Sequence, residues 1–161
     1  MNIRTLAING LLAAIYIAVS FVLQPIMFGV LQFRIPEMLN HLIVFNKKYI
    51  SGIVVGVFIS NLFFSQLGAY DLIFGVGQSL IALLLVIFSS RFITGIKGRM
   101  AMTIIIFTVT MFLIAIELNL VLGLPFLISW ATTAAGEFLV LLIGAPIIYM
   151  MNKRIQFGKL L

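Results

Sequence analysis

Four carboxylates stand in an otherwise apolar chain, and Glu37 follows Arg34 by three positions within residues 29–42, GVLQFRIPEMLNHL. The same stretch holds Gln32, Phe33 and the single histidine, His41. A carboxylate accepts N–H donors on two oxygens and a guanidinium donates in a planar fork, so the pair suits either recognition of a polar solute or clamping of a loop. Such a pair is costly near hydrocarbon, and ionisable groups at membrane depth are functional candidates by default. Asp71, Glu117 and Glu137 complete the acidic set, and Asn61, Gln78 and Asn119 add polar groups within or at the ends of apolar runs.

Missing chemistry narrows the reading. The chain has no cysteine, no second histidine and no H-E-x-x-H pattern, which argues against disulfides, thiolate chemistry and an intramembrane zinc enzyme. The phosphate-cradling glycine and lysine pattern is absent, so ATP-driven work has to come from another chain. No G-x-S-x-G marks a nucleophile, and no cofactor is expected.

A membrane scaffold has to position these residues. Of 161 residues, 63% are hydrophobic and 9% charged, and the mean hydropathy is +1.28. That composition predicts an all-α polytopic membrane protein, one integral membrane domain over residues 1–161. At about 20 residues per span, the length allows five or six helices. A net charge of +6 would suggest nucleic acid in a soluble protein. Here the basic residues fall at the ends of apolar runs and read as topology signals, with no nucleic-acid partner.

Residues 5–23 form the first span, a retained helix rather than a signal peptide because no small-residue cleavage site follows. Gly10, Ala14 and Ala18 recur along it at helical spacing and allow close approach, either within the chain or to a partner. Residues 24–34, with Pro25 and Gly29, read as a loop. Pro36 starts a second helix running to about residue 46, with Glu37 at the positive end of its dipole. That helix is short for a span, so it is expected to be tilted or partly inserted. Residues 49–65, 71–90, 101–122 and 126–151 supply four more helices, the first with a small-residue stripe at Gly52, Gly56 and Ser60. Trp130 sits where an interfacial aromatic would, and Gly144 and Pro146 predict a kink in the last helix.

Six crossings from a cytoplasmic amino terminus put Arg4, Lys47, Lys48, Arg91, Lys97, Arg99, Lys153, Arg154 and Lys159 inside and leave only Arg34 outside. This positive-inside pattern places both termini in the cytoplasm. The acidic residues then fall in the outer half. Glu37 and Asp71 start helices at the outer surface, Glu117 lies about 24 Å from the inner end of its helix, and Glu137 about 15 Å from the outer start of its own. With Arg34, Gln32, Asn61, Gln78 and Asn119 they can line one outward-opening cavity. Scaffold roles compete for several of them: Asp71 as a helix cap, Arg34 with Glu37 as a loop clamp, His41 as a packed histidine. Glu137, near the bilayer middle, is the hardest to assign to scaffold alone.

Three stretches carry a resemblance: Gly29-Val-Leu-Gln-Phe-Arg-Ile-Pro-Glu37, Gly52 and Gly56 before Asn61, and Asp71-Leu-Ile-Phe-Gly75. Together they resemble the QueT family of queuosine-precursor transporters over nearly the whole chain. The most specific part is Q-F-R-x-x-E followed by D-x-x-x-G. This chain carries Pro36 where family members often have serine, which sets a different local turn before Glu37.

The resemblance implies a six-helix S-component fold: the substrate-binding S component of an energy-coupling factor (ECF) transporter in the bacterial cell membrane. Such a component captures a micronutrient from outside and docks on a transmembrane coupling subunit (EcfT) driven by two ATPase subunits (EcfA and EcfA'). The resemblance assigns the docking face to Gly10, Ala14 and Ala18. It also implies a 7-deazaguanine substrate, 7-aminomethyl-7-deazaguanine or queuine. One of Glu137 and Glu117 would take either the paired N–H donors of the guanine-like edge or the aminomethyl cation, and one of Glu37 and Asp71 the other. Arg34 would donate to the base carbonyl or hold Glu37, and Phe33, Tyr70 or Trp130 would stack on the ring. Residues 24–34 are expected to order as a lid over bound substrate. Rival readings are an S component for a pyrimidine, pyridoxine or thiamin type of vitamin, an intramembrane enzyme using the buried carboxylates, and a self-assembling channel.

Overall fold

The computed structural model describes residues 2–27 and 32–161. Helix α1 spans Ile3–Met27, α2 Ile50–Phe64, α3 Ala69–Ser89, α4 Ile96–Thr110, α5 Phe112–Leu122 and α6 Phe126–Ile155, and α7 is one turn, Phe157–Leu160. Two 3-10 helices, Ile35–Val44 and Lys47–Tyr49, lie between α1 and α2, and no strand occurs among the described residues. Among the described residues five segments are long and apolar enough to cross a membrane: Ile3–Met27, Lys47–Phe64, Ala69–Ser89, Ile96–Leu122 and Phe126–Ile155. The fourth combines α4 and α5, which meet at Met111 with its backbone still helical. The helix expected over 101–122 therefore starts earlier and is divided in two.

Polarity is arranged for lipid. Val22, Phe63 and Leu127 are each 72% exposed, whereas Arg34, Glu37, Asp71, Glu117 and Glu137 are all buried. Apolar side chains on the outside and satisfied helical backbones within are what hydrocarbon demands.

Glycines set how closely α2 lies on α1. A Cβ at Gly52 would stand 2.7 Å from the Asn9 carbonyl oxygen, and one at Gly56 would stand 2.7 Å from the Tyr16 Cβ. Asn9 fixes the register, its Oδ1 accepting the Gly52 N–H at 3.0 Å while its amide donates to the Thr5 carbonyl.

Two local expectations are corrected. α1 runs on through Pro25 to Met27 rather than ending at residue 23. Pro25 forfeits the hydrogen bond to the Phe21 carbonyl and crowds that carbonyl, a cost met in the last turn, where the buried Met27 packs. The expected break at Gly29 lies outside the described residues. Beyond it, Gln32 has a positive φ of 43° and the Phe33 N–H donates back to the Ile26 carbonyl at 3.1 Å.

The second correction concerns the short helix, which is a 3-10 helix over Ile35–Val44 and not an α-helix. Its 3-residue period stacks side chains three apart. One edge sets Asn40 beside Glu37, where its amide donates to the carboxylate. A second edge faces α6: His41 Nε2 lies 2.9 Å from the Leu141 carbonyl, and a Cβ at Gly144 would stand 2.5 Å from the Met38 Cβ. The helix is wedged among α1, α3, α4 and α6 with most of its residues buried. Tertiary packing and Pro36, which supplies no N–H, hold it in the stretched form.

The chain's basic residues other than Arg34 gather at one end of the bundle. There Asn46 donates to the Leu161 carbonyl at 3.0 Å, Tyr49 donates to the Phe157 carbonyl at 2.9 Å, and Arg99 donates to the Ser90 and Ile93 carbonyls. The start of α1, joined through Asn9 to the start of α2, lies at the same end.

Candidate substrate-binding site

Arg34 reaches the middle of the bundle from the extended residues before the 3-10 helix and is 2% exposed. Its Nη2 donates to Asn61 Oδ1 at 3.3 Å, and its Nη1 lies 3.8 Å from Glu37 Oε1. Gly75 makes the passage possible: a Cβ there would stand 2.6 Å from Asn61 Nδ2 and 3.1 Å from Arg34 Nη2. Asn61 also donates to the Asp71 carbonyl at 3.3 Å, and the Asp71 carboxylate accepts the Ser65 hydroxyl. Asp71 thus braces the loop between α2 and α3 from the first turn of α3.

Glu37 is saturated. Its Oε1 accepts the Tyr16 hydroxyl at 2.8 Å and lies 3.4 Å from the Ser79 hydroxyl, and its Oε2 accepts from Asn40. Ser79 is also 3.3 Å from Gln78 Oε1, and the Gln78 amide donates to Thr110 at 3.0 Å. With Arg34 as counter-ion, Glu37 ties the 3-10 helix to α1 and α3.

Glu117 and Glu137 are the opposite case. Both are buried, and among the described residues neither carboxylate accepts from an amide, a guanidinium or an alcohol. Glu117 lies beside the Asp71 carboxyl, close enough to share a proton with it, and within electrostatic reach of Arg34, while Glu137 lies within electrostatic reach of Glu37 and Arg34. Arg34 Nε and Nη1 are likewise without hydrogen-bond partners, as is Trp130 Nε1. Trp130 packs with Phe74, Met111, Ile114 and Leu118 and lies two turns before Glu137 on the same side of α6. Buried polar atoms are ordinarily satisfied, and one guanidinium among four carboxyl groups leaves this cluster short of N–H donors and of positive charge.

The other residues singled out in the sequence are placed less uniformly. Gln32 is buried beside Arg34 in the chain. Phe33 turns instead into an apolar cavity of about 370 Å³ lined by Ile26, Met38 and Leu139 among others. Tyr70 is 51% exposed and stands outside the cluster. Asn119 is exposed and closes the turn after α5 by donating to the Leu124 carbonyl at 2.7 Å, so it does not line the site. His41 is a packed histidine on α6. Of the stretch expected to order as a lid, Gln32 and Arg34 are buried, and residues 28–31 lie outside the described residues. Gly10, Ala14 and Ala18 all face outward, with nothing within 4 Å of a Cβ built at Gly10. Packing within the chain does not use that stripe.

Tyr16, Asn40, Ser79 and Thr110 were not singled out by the sequence. Asn40 was the most accessible, three positions after Glu37. Tyr16 falls on the side of α1 opposite Gly10 and Ala14, and a tyrosine on the buried side of an apolar helix calls for a polar partner.

Residues 6–153 match the QueT transporter family. A relative from Lactococcus lactis subsp. cremoris (strain MG1363), named queuosine precursor transporter QueT, is 38% identical over 167 residues, covering 98% of this chain and 96% of its own length. No solved structure matches the chain. Both the extent of the match and the apolar spans agree with a multi-pass transport protein of the cell membrane. The chain belongs to the QueT transporter family.

Proposed function

We propose that the protein is the substrate-binding S component of an energy-coupling factor transporter, capturing a queuosine precursor, 7-aminomethyl-7-deazaguanine or queuine, from outside the cell. The observation that carries this reading is the pair of buried, unpartnered carboxylates, Glu117 and Glu137, beside an arginine with unpartnered N–H groups. A 7-deazaguanine complements them. Its guanine-like edge carries a carbonyl next to two N–H donors, which suits Arg34 next to Glu137. Its aminomethyl cation suits Glu117, where Asp71 adds a second negative group. Trp130 offers the ring face and an indole N–H. Glu37 acts here by holding Arg34, not by contacting ligand.

Six crossings within a single membrane domain, with both termini cytoplasmic, complete the reading. At about 2 Å per residue the ten residues of the 3-10 helix reach about 20 Å, where an α-helix would reach about 15 Å. Backbone of that kind is tolerated at membrane depth when protein surrounds it, as it does here. The outward stripe of Gly10, Ala14 and Ala18 serves as the docking face for the coupling subunit EcfT, and EcfA and EcfA' supply ATP hydrolysis. Reconstituting the chain in liposomes with these subunits tests the assignment. Uptake of labelled 7-aminomethyl-7-deazaguanine should require ATP and all partners, and uptake by the chain alone would overturn it.

A further inference from the structure

A groove between α4 and α6, remote from the carboxylate cluster, carries chemistry the transport reading does not use. It encloses about 300 Å³ and is walled by Met100, Ala101, Ile104, Ala145 and Pro146, with Lys97 and Tyr149 toward the basic end of the bundle. Lys153 lies one turn beyond Tyr149, and its Nζ sits 5.4 Å from the centre of that ring. Lys97 in the lining and Lys153 over the Tyr149 ring therefore put two lysines toward the same end of an apolar slot. All four acidic residues of the chain are buried in the substrate cluster, so none is left to neutralise Lys97 or Lys153. α1 packs on α2 and the first 3-10 helix, so its exposed stripe lies on a different face from this groove.

We infer that the groove binds an anionic phospholipid, with one acyl chain along Met100, Ile104 and Ala145 and the phosphate held by Lys97 and Lys153. The slot is amphipathic in the same order as the lipid. The small side chains of Ala101 and Ala145 leave room for an acyl chain, and lysine stems can lie along apolar surface while their charges reach the headgroup level. A free phosphate would satisfy the lysines but leave the apolar walls unoccupied. A zwitterionic lipid would fill the walls but compensate the lysine charges poorly.

Native mass spectrometry of the full chain in detergent tests this, with phosphatidylglycerol, phosphatidylcholine, glycerophosphoglycerol and inorganic phosphate as probes. Phosphatidylglycerol should be retained roughly tenfold better than phosphatidylcholine, and neither water-soluble probe should displace it. Lys97→Gln with Lys153→Gln should erase that preference, whereas Lys47→Gln with Lys48→Gln should keep it. Ala145→Phe should reduce retention of both lipids; Ala101→Leu, at an exposed position, does the same job if the larger side chain prevents folding. An unchanged unfolding transition certifies each variant. Equal retention of the two lipids, equal loss in both lysine pairs, or displacement by phosphate alone would overturn the inference.

Discussion

Glu37 and Glu137 lie together beside Arg34, but only Glu37 has its oxygens occupied by protein donors. Replacing Glu37 by Gln sets an N–H group against the donors that surround the carboxylate, Tyr16, Asn40 and Ser79, and thermal unfolding in detergent should show a loss of about 1–3 kcal/mol. Tyr16→Phe removes one hydrogen bond to the same carboxylate and should cost about 1.5–3 kcal/mol. Glu137→Gln breaks no hydrogen bond within the protein, so its unfolding transition should hold while ligand affinity falls by about 2–5 kcal/mol, read by titration. Equal destabilisation by the two Glu→Gln changes would contradict the division of roles. The sequence exposed the carboxylates, because an ionisable residue in an apolar run stands out. It hid which of them was saturated: Tyr16, Asn40 and Ser79 come from three separate elements, and hydroxyls and amides are unremarkable within helices.

Among elements, close approach is governed by glycines with different consequences. Gly75→Ala drives a methyl into Asn61 and Arg34, whereas Gly144→Ala drives one into Met38 on the 3-10 helix. Each should lower stability by about 1–3 kcal/mol, and Gly75→Ala alone should also weaken ligand binding, because it displaces Arg34. Gly10→Leu should leave both unfolding and ligand binding unchanged and abolish co-purification with EcfT. Retained co-purification would move the docking face elsewhere. The apolar runs showed where helices lie, and the D-x-x-x-G spacing placed Asp71 and Gly75 together on α3. The 3-10 winding of residues 35–44 was not legible, since periodicity over ten residues does not separate it from an α-helix and the surrounding helices decide the outcome. The extent of α1 past Pro25 was obscured similarly, because a proline beyond the first turn ordinarily ends a helix and only tertiary packing of the last turn carries it further.

At the scale of the molecule, the bundle is polar inside, apolar outside and basic at one end. The chain contains no cysteine, so single cysteines report topology without background. Replacements at Lys48, Lys97 and Lys159 should react with an impermeant thiol reagent only from the cytoplasmic side, and those at Gly68 and Gly123 only from outside. Labelling of Lys48 and Gly68 from the same side would contradict the six-crossing arrangement. Five spans were legible from length and hydropathy; the charge distribution argued for a sixth crossing that hydropathy alone does not mark. The most direct test of the central claim is equilibrium binding of 7-aminomethyl-7-deazaguanine and queuine to the purified chain, with guanine, thiamin and pyridoxine as competitors. Saturable binding of a deazaguanine that thiamin and pyridoxine do not compete is the predicted result. Absence of binding by protein with an intact unfolding transition, or displacement by either vitamin, would contradict the account.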